Sequence, residues 1–310
     1  MVGVELDTGT ERINTVDALN LSAIILLAVV AAFFRRQLGT EAMWLLGVFA
    51  CLIVFIFASV LLANRGPLWR AVHAFSPALI VPVLFNTLGP IIDCASPYQW
   101  DARFARLDAQ LFGELAAMWR GVLGRPAWLT DLSYLAYVAY YVAPVVLAAM
   151  LYIRRSDGTF RQVVFTVVLT FYLSYVGYFM FPTVGPRAPV GSEALVVGGG
   201  AISHMVRLFI DYAERTRTDA FPSGHTAVAL VCLYLAWHAS TALFGIFVPV
   251  VAAIVFSTVY LHYHYVIDVV AGTGLALGCM WLGPRLEFAL QAREMVEWLA
   301  HGSGDGDSEL

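Results

Sequence analysis

The chain has 310 residues, of which 60% are apolar and 13% charged, and carries a formal net charge of −4. Such a balance excludes an ordinary soluble domain, and a weakly acidic chain offers no electrostatic footprint for nucleic acid. Barrel strands would alternate in character over about ten residues, whereas the apolar runs here are continuous, so an all-α polytopic transmembrane bundle is expected.

The predicted spans begin with Ala18–Phe34, Ala42–Asn64, Ala71–Ile92, Leu132–Ile153 and Gln162–Pro186, each free of charge. All are long enough to cross about 30 Å of hydrocarbon. Next comes a run from Ala220 to Ile267 without a single Asp, Glu, Arg or Lys. It is expected to hold two helices broken near His238-Ala-Ser240. Val269–Pro284 is the last span, for a total of about eight. The first span has Glu5, Asp7 and Glu11 before it and Arg35-Arg36 after it, with no small-residue cleavage site, and reads as a retained helix.

Between the third and fourth spans, Trp100, Phe104, Leu107, Leu111, Leu115, Met118 and Val122 recur at helical steps among charged residues. The pattern predicts an amphipathic helix, lying either in the membrane interface or against the bundle. A shorter stretch from Ile202 to Arg215 has the same character and follows Gly198-Gly-Gly200. The four Cys show no metal spacing and read as packing residues. The acidic, Gly/Ser-rich tail Gly302–Leu310 reads as disordered.

With eight spans both termini share a side. The short loops on that side carry Arg65, Arg70, Arg154, Arg155 and Arg161, which favours cytoplasmic termini. Every basic residue is Arg, a composition associated with GC-rich bacterial genomes, so a bacterial inner membrane is the expected location.

Three elements carry candidate chemistry. In Phe221-Pro-Ser-Gly-His225-Thr226, Pro222 suits a helix start and Ser223 a cap, which leaves backbone N–H groups pointing outward as an anion site. Gly224 allows close backbone approach, and His225 sits in the first turn. In His262-Tyr-His264-Tyr-Val-Ile-Asp268, a helix would let Asp268 accept from His264 Nδ1–H and leave Nε2 free as a nucleophile or base. A metal site of His262, His264 and Asp268, a structural His–Asp pair, and a proton path in a transporter compete with that reading. In Phe181-Pro-Thr-Val-Gly-Pro-Arg187, the terminal guanidinium suits phosphate oxygens, or else snorkels to headgroups.

The order of these elements resembles the type 2 phosphatidic acid phosphatase superfamily. Its motifs carry a basic residue with Arg-Pro, then Pro-Ser-Gly-His, then Ser-Arg-x5-His-x3-Asp. The second motif matches at Pro222–His225 and the third at Ser257, His264 and Asp268. Two family cations are missing: the chain has no Lys, and Thr258 stands where Arg follows the third-motif Ser. The pattern is closer to the inositol phosphorylceramide synthase-like branch, to which Pro182–Arg187, Leu107–Gly113 and the Tyr-rich stretch Tyr134–Pro144 are similar.

The resemblance implies a six-helix phosphatase-like core with interfacial amphipathic helices. It divides the chain into an N-terminal hairpin (1–70), a lipid phosphatase or phosphotransferase-like core (71–284) and a cytoplasmic tail (285–310). It further implies His264 as nucleophile through a phosphohistidine, Asp268 as its orienting partner and His225 as the acid. Arg187, Ser223 and Gly224 would bind phosphate, and the missing cations imply either a different headgroup arrangement or recruitment of Arg207, Arg215 or Arg217. No metal or cofactor is implied. The implied partners are the membrane and a phospholipid or lipid phosphate, with water or a lipid or polyol hydroxyl as acceptor, and the site would lie on the non-cytoplasmic side. The activity would be phosphotransfer of a headgroup or hydrolysis of a lipid phosphate; a proton-coupled transporter is the rival class.

Overall fold

The computed structural model describes residues 13–96, 98–113, 115–124, 126–154, 157–187 and 198–302. α1 (Thr15–Phe33) starts at Asn14, whose side chain accepts from the Val16 and Asp17 N–H groups while Asp17 accepts from Asn14 N–H. This reciprocal capping box satisfies donors that the first turn would otherwise leave open. α2 (Arg35–Leu38) turns the chain into α3 (Thr40–Ala63). α4 (Pro67–Ala74) and α5 (Pro77–Ala95) together form one 29-residue span.

α6 (Asp101–Phe112) and α7 (Leu115–Leu123) occupy the amphipathic stretch predicted as one element. Gly113 divides them with φ 60°, a left-handed conformation that favours glycine. Phe104 is buried while Leu107, Leu111, Met118 and Val122 remain exposed, so the segment packs on the bundle along one edge only.

α8 (Ala127–Ile153) begins before the predicted Leu132 because Asp131 is not lost to the apolar interior. It accepts the Gly200 and Ser203 N–H groups, both at 2.9 Å, and so caps α10 (Ala201–Ala213). α9 (Asp157–Met180) stops short of the predicted Pro186, and residues 181–187 form a loop instead. α11 (Gly224–Ala239) and α12 (Thr241–Tyr260) part at Ser240, where the break was expected. α13 (Val266–Gly302) runs past the predicted end at Pro284. Apart from Gly302, which ends that helix, the predicted disordered tail lies outside the described residues.

Among the described residues seven helical segments are long and apolar enough to cross a membrane: α1, α3, α4 with α5, α8, α9, α12 and α13. α11 is the shorter eighth element, with 16 residues. It is apolar on every face, and Ala227, Val228, Ala229, Val231 and Cys232 are all buried. A helix apolar all round belongs at the centre, and α11 packs against α8, α9, α12 and α13. Small residues permit the close approach: at Gly272 of α13 a Cβ would fall 2.4 Å from Ser223 O.

The first hairpin is attached by polar contacts as well as packing. His73 Nε2 meets Asp17 Oδ2 at 2.9 Å, and Tyr172 O–H donates to Asn20 Oδ1 at 2.5 Å, all four groups being buried. Apolar side chains such as Leu26, Val29, Val54 and Leu61 project outward. On a soluble protein such a surface would drive association, whereas here it faces hydrocarbon.

Candidate active site

Three connecting loops meet at one end of α11. One follows α9 (181–187), one precedes α11 (214–223) and one joins α12 to α13 (261–265). Backbone bonds lock them together. Ala220 N–H donates to Thr183 O at 2.8 Å and Ser223 N–H to Asp268 O at 3.0 Å. Gly185, at φ 84°, allows the first loop to press against the third, since a Cβ there would sit 2.4 Å from Tyr263 O.

His264 lies in the third loop, ahead of α13. The expected arrangement, with His264 and Asp268 on one helix, is therefore corrected: only Asp268 is helical, in the first turn. Tyr263 and His264 N–H groups both donate to Thr258 O, which fixes the turn. His264 Nδ1 is 2.9 Å from Ala220 O and 3.5 Å from Asp268 Oδ2. Both neighbours are acceptors, so Nδ1 carries the hydrogen and Nε2 keeps its lone pair. The carbonyl is the nearer acceptor, and Asp268 adds a negative charge alongside. Asp268 Oδ2 also accepts Tyr265 N–H at 2.8 Å, in the manner of a cap.

His225 is in the first turn of α11, clamped between Tyr137 and Tyr140 of α8 with ring centroids 4.1 and 4.0 Å away. The two phenol rings lie within 28° and 29° of the imidazole plane, so its orientation is fixed from both faces. The His225 and His264 rings are 5.6 Å apart. His225 Nε2 is buried and has no hydrogen-bond partner among the described residues.

Ser223 caps α11, its Oγ accepting from Thr226 N–H at 3.3 Å and from Thr226 O–H at 3.1 Å. Its own hydroxyl hydrogen stays available as a donor. Pro222 immediately precedes this cap. Gly224 is the first helical residue, and a Cβ there would fall 2.4 Å from Tyr178 Oη, so no side chain fits. Arg187 donates from Nε to Val184 O at 2.7 Å and from Nη2 to Asp219 Oδ1 at 2.5 Å. Nη1 is buried without a partner among the described residues. Two of the three other proposed cations are engaged elsewhere: Arg217 pairs with Asp211 at 3.0 Å, and Arg215 lies 5.9 Å over the Trp44 ring.

Several residues that matter here carried no recognised role in the sequence. Asp101 accepts from Val184 N–H at 3.0 Å and from Gly185 N–H at 2.9 Å, holding the Arg187 loop. Asp108 accepts Ile267 N–H at 2.8 Å at the start of α13. Phe104 stacks on Phe221 with centroids 4.2 Å apart. α6 thus fastens two of the three loops. Glu214 is buried at the end of α10 and takes a hydrogen bond from Tyr141 O–H. Burial, and then the charge of Asp219, push its carboxyl up to about 7. The Tyr residues at three-residue steps along α8 were the one available signal for a ring clamp.

A cavity of about 330 Å³ leads away from this polar end. His225, Glu214 and Asp219 stand at its head, and Val81, Val145 and Phe171 are among the side chains lining its length. α5 and α8 both pack on α9, and the cleft lies between them. An apolar slot ending in a few convergent polar groups is the form of an amphiphile site.

The fold and site define a polytopic helical membrane protein with a polar centre at the head of an apolar cleft. The chain belongs to the PAP2 superfamily, which matches over residues 102–282 and so includes all three loops. The chain is also 24% identical over 274 residues to a PA-phosphatase related-family protein of Dictyostelium discoideum. That alignment covers 74% of this chain and 48% of the relative, so the chain spans about half the relative's length. No solved structure matches.

Proposed function

We propose that this protein is a lipid phosphotransferase or lipid phosphate phosphatase working through a phosphohistidine. The observation that carries the reading is His225 at the head of an apolar cleft, 5.6 Å ring to ring from His264, with Arg187 paired to Asp219 of the same cleft. In the first step the His264 Nε2 lone pair attacks phosphorus and the bond to the leaving oxygen breaks. His225 Nε2–H gives that oxygen its proton. Asp268 and Ala220 O stabilise the positive charge that develops on the His264 ring, since both face Nδ1–H. Arg187 Nη1, the Ser223 hydroxyl and the Gly224 N–H hold the non-bridging oxygens, where charge collects in the transition state.

In the second step the now neutral His225 takes a proton from water or an alcohol as that oxygen attacks phosphorus. The P–N bond breaks and His264 is restored. Water as acceptor makes the protein a phosphatase, and a lipid or polyol hydroxyl makes it a transferase. We favour transfer of a phospho-headgroup, of the inositol phosphorylceramide synthase-like kind, because Arg187 and Thr258 replace the usual cation pattern. The site faces the non-cytoplasmic side of a bacterial inner membrane, both termini are cytoplasmic, and residues 71–284 form the catalytic core.

The test is turnover of phosphatidic acid, polyprenyl phosphate and phosphatidylinositol by the purified protein, with and without ceramide or diacylglycerol. His264→Ala should abolish every activity and the acid-labile phosphoenzyme, and orthovanadate should compete. An active His264→Ala protein would remove the mechanism.

A further inference from the structure

The proposed phosphoryl chemistry uses His225, His264, Asp268 and Arg187 but leaves the buried Glu214 unexplained. Glu214 is 3% exposed and lines the cavity beside His225. Tyr141 O–H donates to its Oε1, while Oε2 has no partner among the described residues. A carboxylate oxygen so deeply buried needs a donor. Phosphate satisfies only the protonated form, because its oxygens are acceptors and repel the carboxylate. An ammonium is disfavoured by Arg187, which already faces this cluster and pairs with Asp219. A neutral donor remains.

We propose that Glu214 is the hydroxyl-recognition group of this site, its Oε2 accepting a hydrogen bond from an alcohol of the substrate headgroup or of the acceptor. The assignment rests on the phosphotransferase or phosphatase reading and deepens it. A hydroxyl both donates and accepts, so it satisfies Oε2 whether or not the carboxyl, raised by burial and then by Asp219, holds its proton. Tyr141 sets the geometry: its donation occupies Oε1 and leaves Oε2 as the buried oxygen without a partner among the described residues, on a residue that lines the cleft. Because that first position must remain an acceptor, Glu214→Gln would place its carbonyl on Tyr141 and its NH2 toward the cleft. The free position would change from acceptor to donor with almost no change in volume.

The experiment compares wild type with Glu214→Gln and Glu214→Asp, which withdraws the oxygen by one methylene. One arm measures kcat/KM for phosphatidylinositol against phosphatidic acid of the same acyl chains. The other measures transfer to ceramide or diacylglycerol against hydrolysis, with phosphatidic acid as donor. Orthovanadate inhibition reports the phosphate site alone and confirms that each variant is folded. Recognition of a headgroup hydroxyl predicts at least about a tenfold fall in the first ratio, and recognition of an acceptor hydroxyl predicts it in the second. Vanadate affinity should hold within about twofold in either case. Unchanged ratios, or a loss of vanadate affinity in parallel with all activities, would overturn the assignment to hydroxyl. So would a selective loss with phosphatidylethanolamine, which would indicate an ammonium. Wild-type protein inactive on every lipid phosphate would instead defeat the underlying reading, and this one with it.

Discussion

His225 and His264 are both buried imidazoles, yet their surroundings prepare them for different work. His264 has acceptors on Nδ1, which leaves Nε2 as a lone pair; His225 is stacked between two phenol rings, and its Nε2 has no partner among the described residues. His225→Asn should therefore lower kcat by about 10²–10⁴-fold, the range for losing a positioned acid–base. It should still form some phosphoenzyme with substrates whose leaving groups need no proton, such as a p-nitrophenyl phosphodiester, and single-turnover trapping checks this. Glu214 sets a stability signature of its own. Its carboxyl is raised from 4.5 to about 7, so the folded state prefers the protonated form. That contribution is complete below pH 4.5 and is lost as pH rises through 7. Melting temperature in detergent, followed across this window, should fall less steeply in Glu214→Gln than in wild type. Sequence pattern alone brought out His225, His264, Asp268, Ser223, Gly224 and Arg187. It could not bring out Glu214 or Asp101, because an isolated acid beside a loop has no distinguishing spacing.

α6 shows what a helix contributes beyond its own residues. Its periodicity was legible, but two placements fitted equally, since an apolar edge suits lipid and protein alike. Phe104 on Phe221, Asp101 on the Arg187 loop and Asp108 on α13 decide in favour of the bundle. Asp101→Asn keeps the shape but reduces the acceptors for the Val184 and Gly185 N–H groups. We expect kcat/KM to fall about tenfold, in line with loss of a charged hydrogen bond of about 1.5–3 kcal/mol. Vanadate affinity should weaken with it, because Arg187 loses its support, while far-UV dichroism stays the same. Unchanged vanadate binding would mean that α6 does not position the phosphate site.

The whole molecule joins a buried hairpin anchor to a loop-built site. The Asp17–His73 contact lies between α1 and α4, outside the three site loops. Removing one partner of such a buried pair typically costs about 3–5 kcal/mol. His73→Ala should therefore lower the melting temperature in detergent but leave the KM for lipid phosphate unchanged. Orientation is a separate prediction. Reporter fusions at the C-terminus should behave as cytoplasmic, and a cysteine placed in the 181–187 loop should react with a membrane-impermeant thiol reagent from the opposite side.

The sequence by itself determined that the protein is a helical membrane bundle, because long uncharged runs admit no other way of satisfying the backbone in hydrocarbon. It also determined the motif residues, whose intervals are local and survive without knowledge of the fold. Tertiary structure alone decided that Ala220 O is the nearest acceptor of His264, that Tyr137 and Tyr140 clamp His225, and that Asp219 holds Arg187. It also placed Glu214 at the head of an apolar cleft. These are contacts between loops and helices far apart in the chain, made by packing around α11, and no local pattern encodes which distant groups that packing brings within hydrogen-bonding reach.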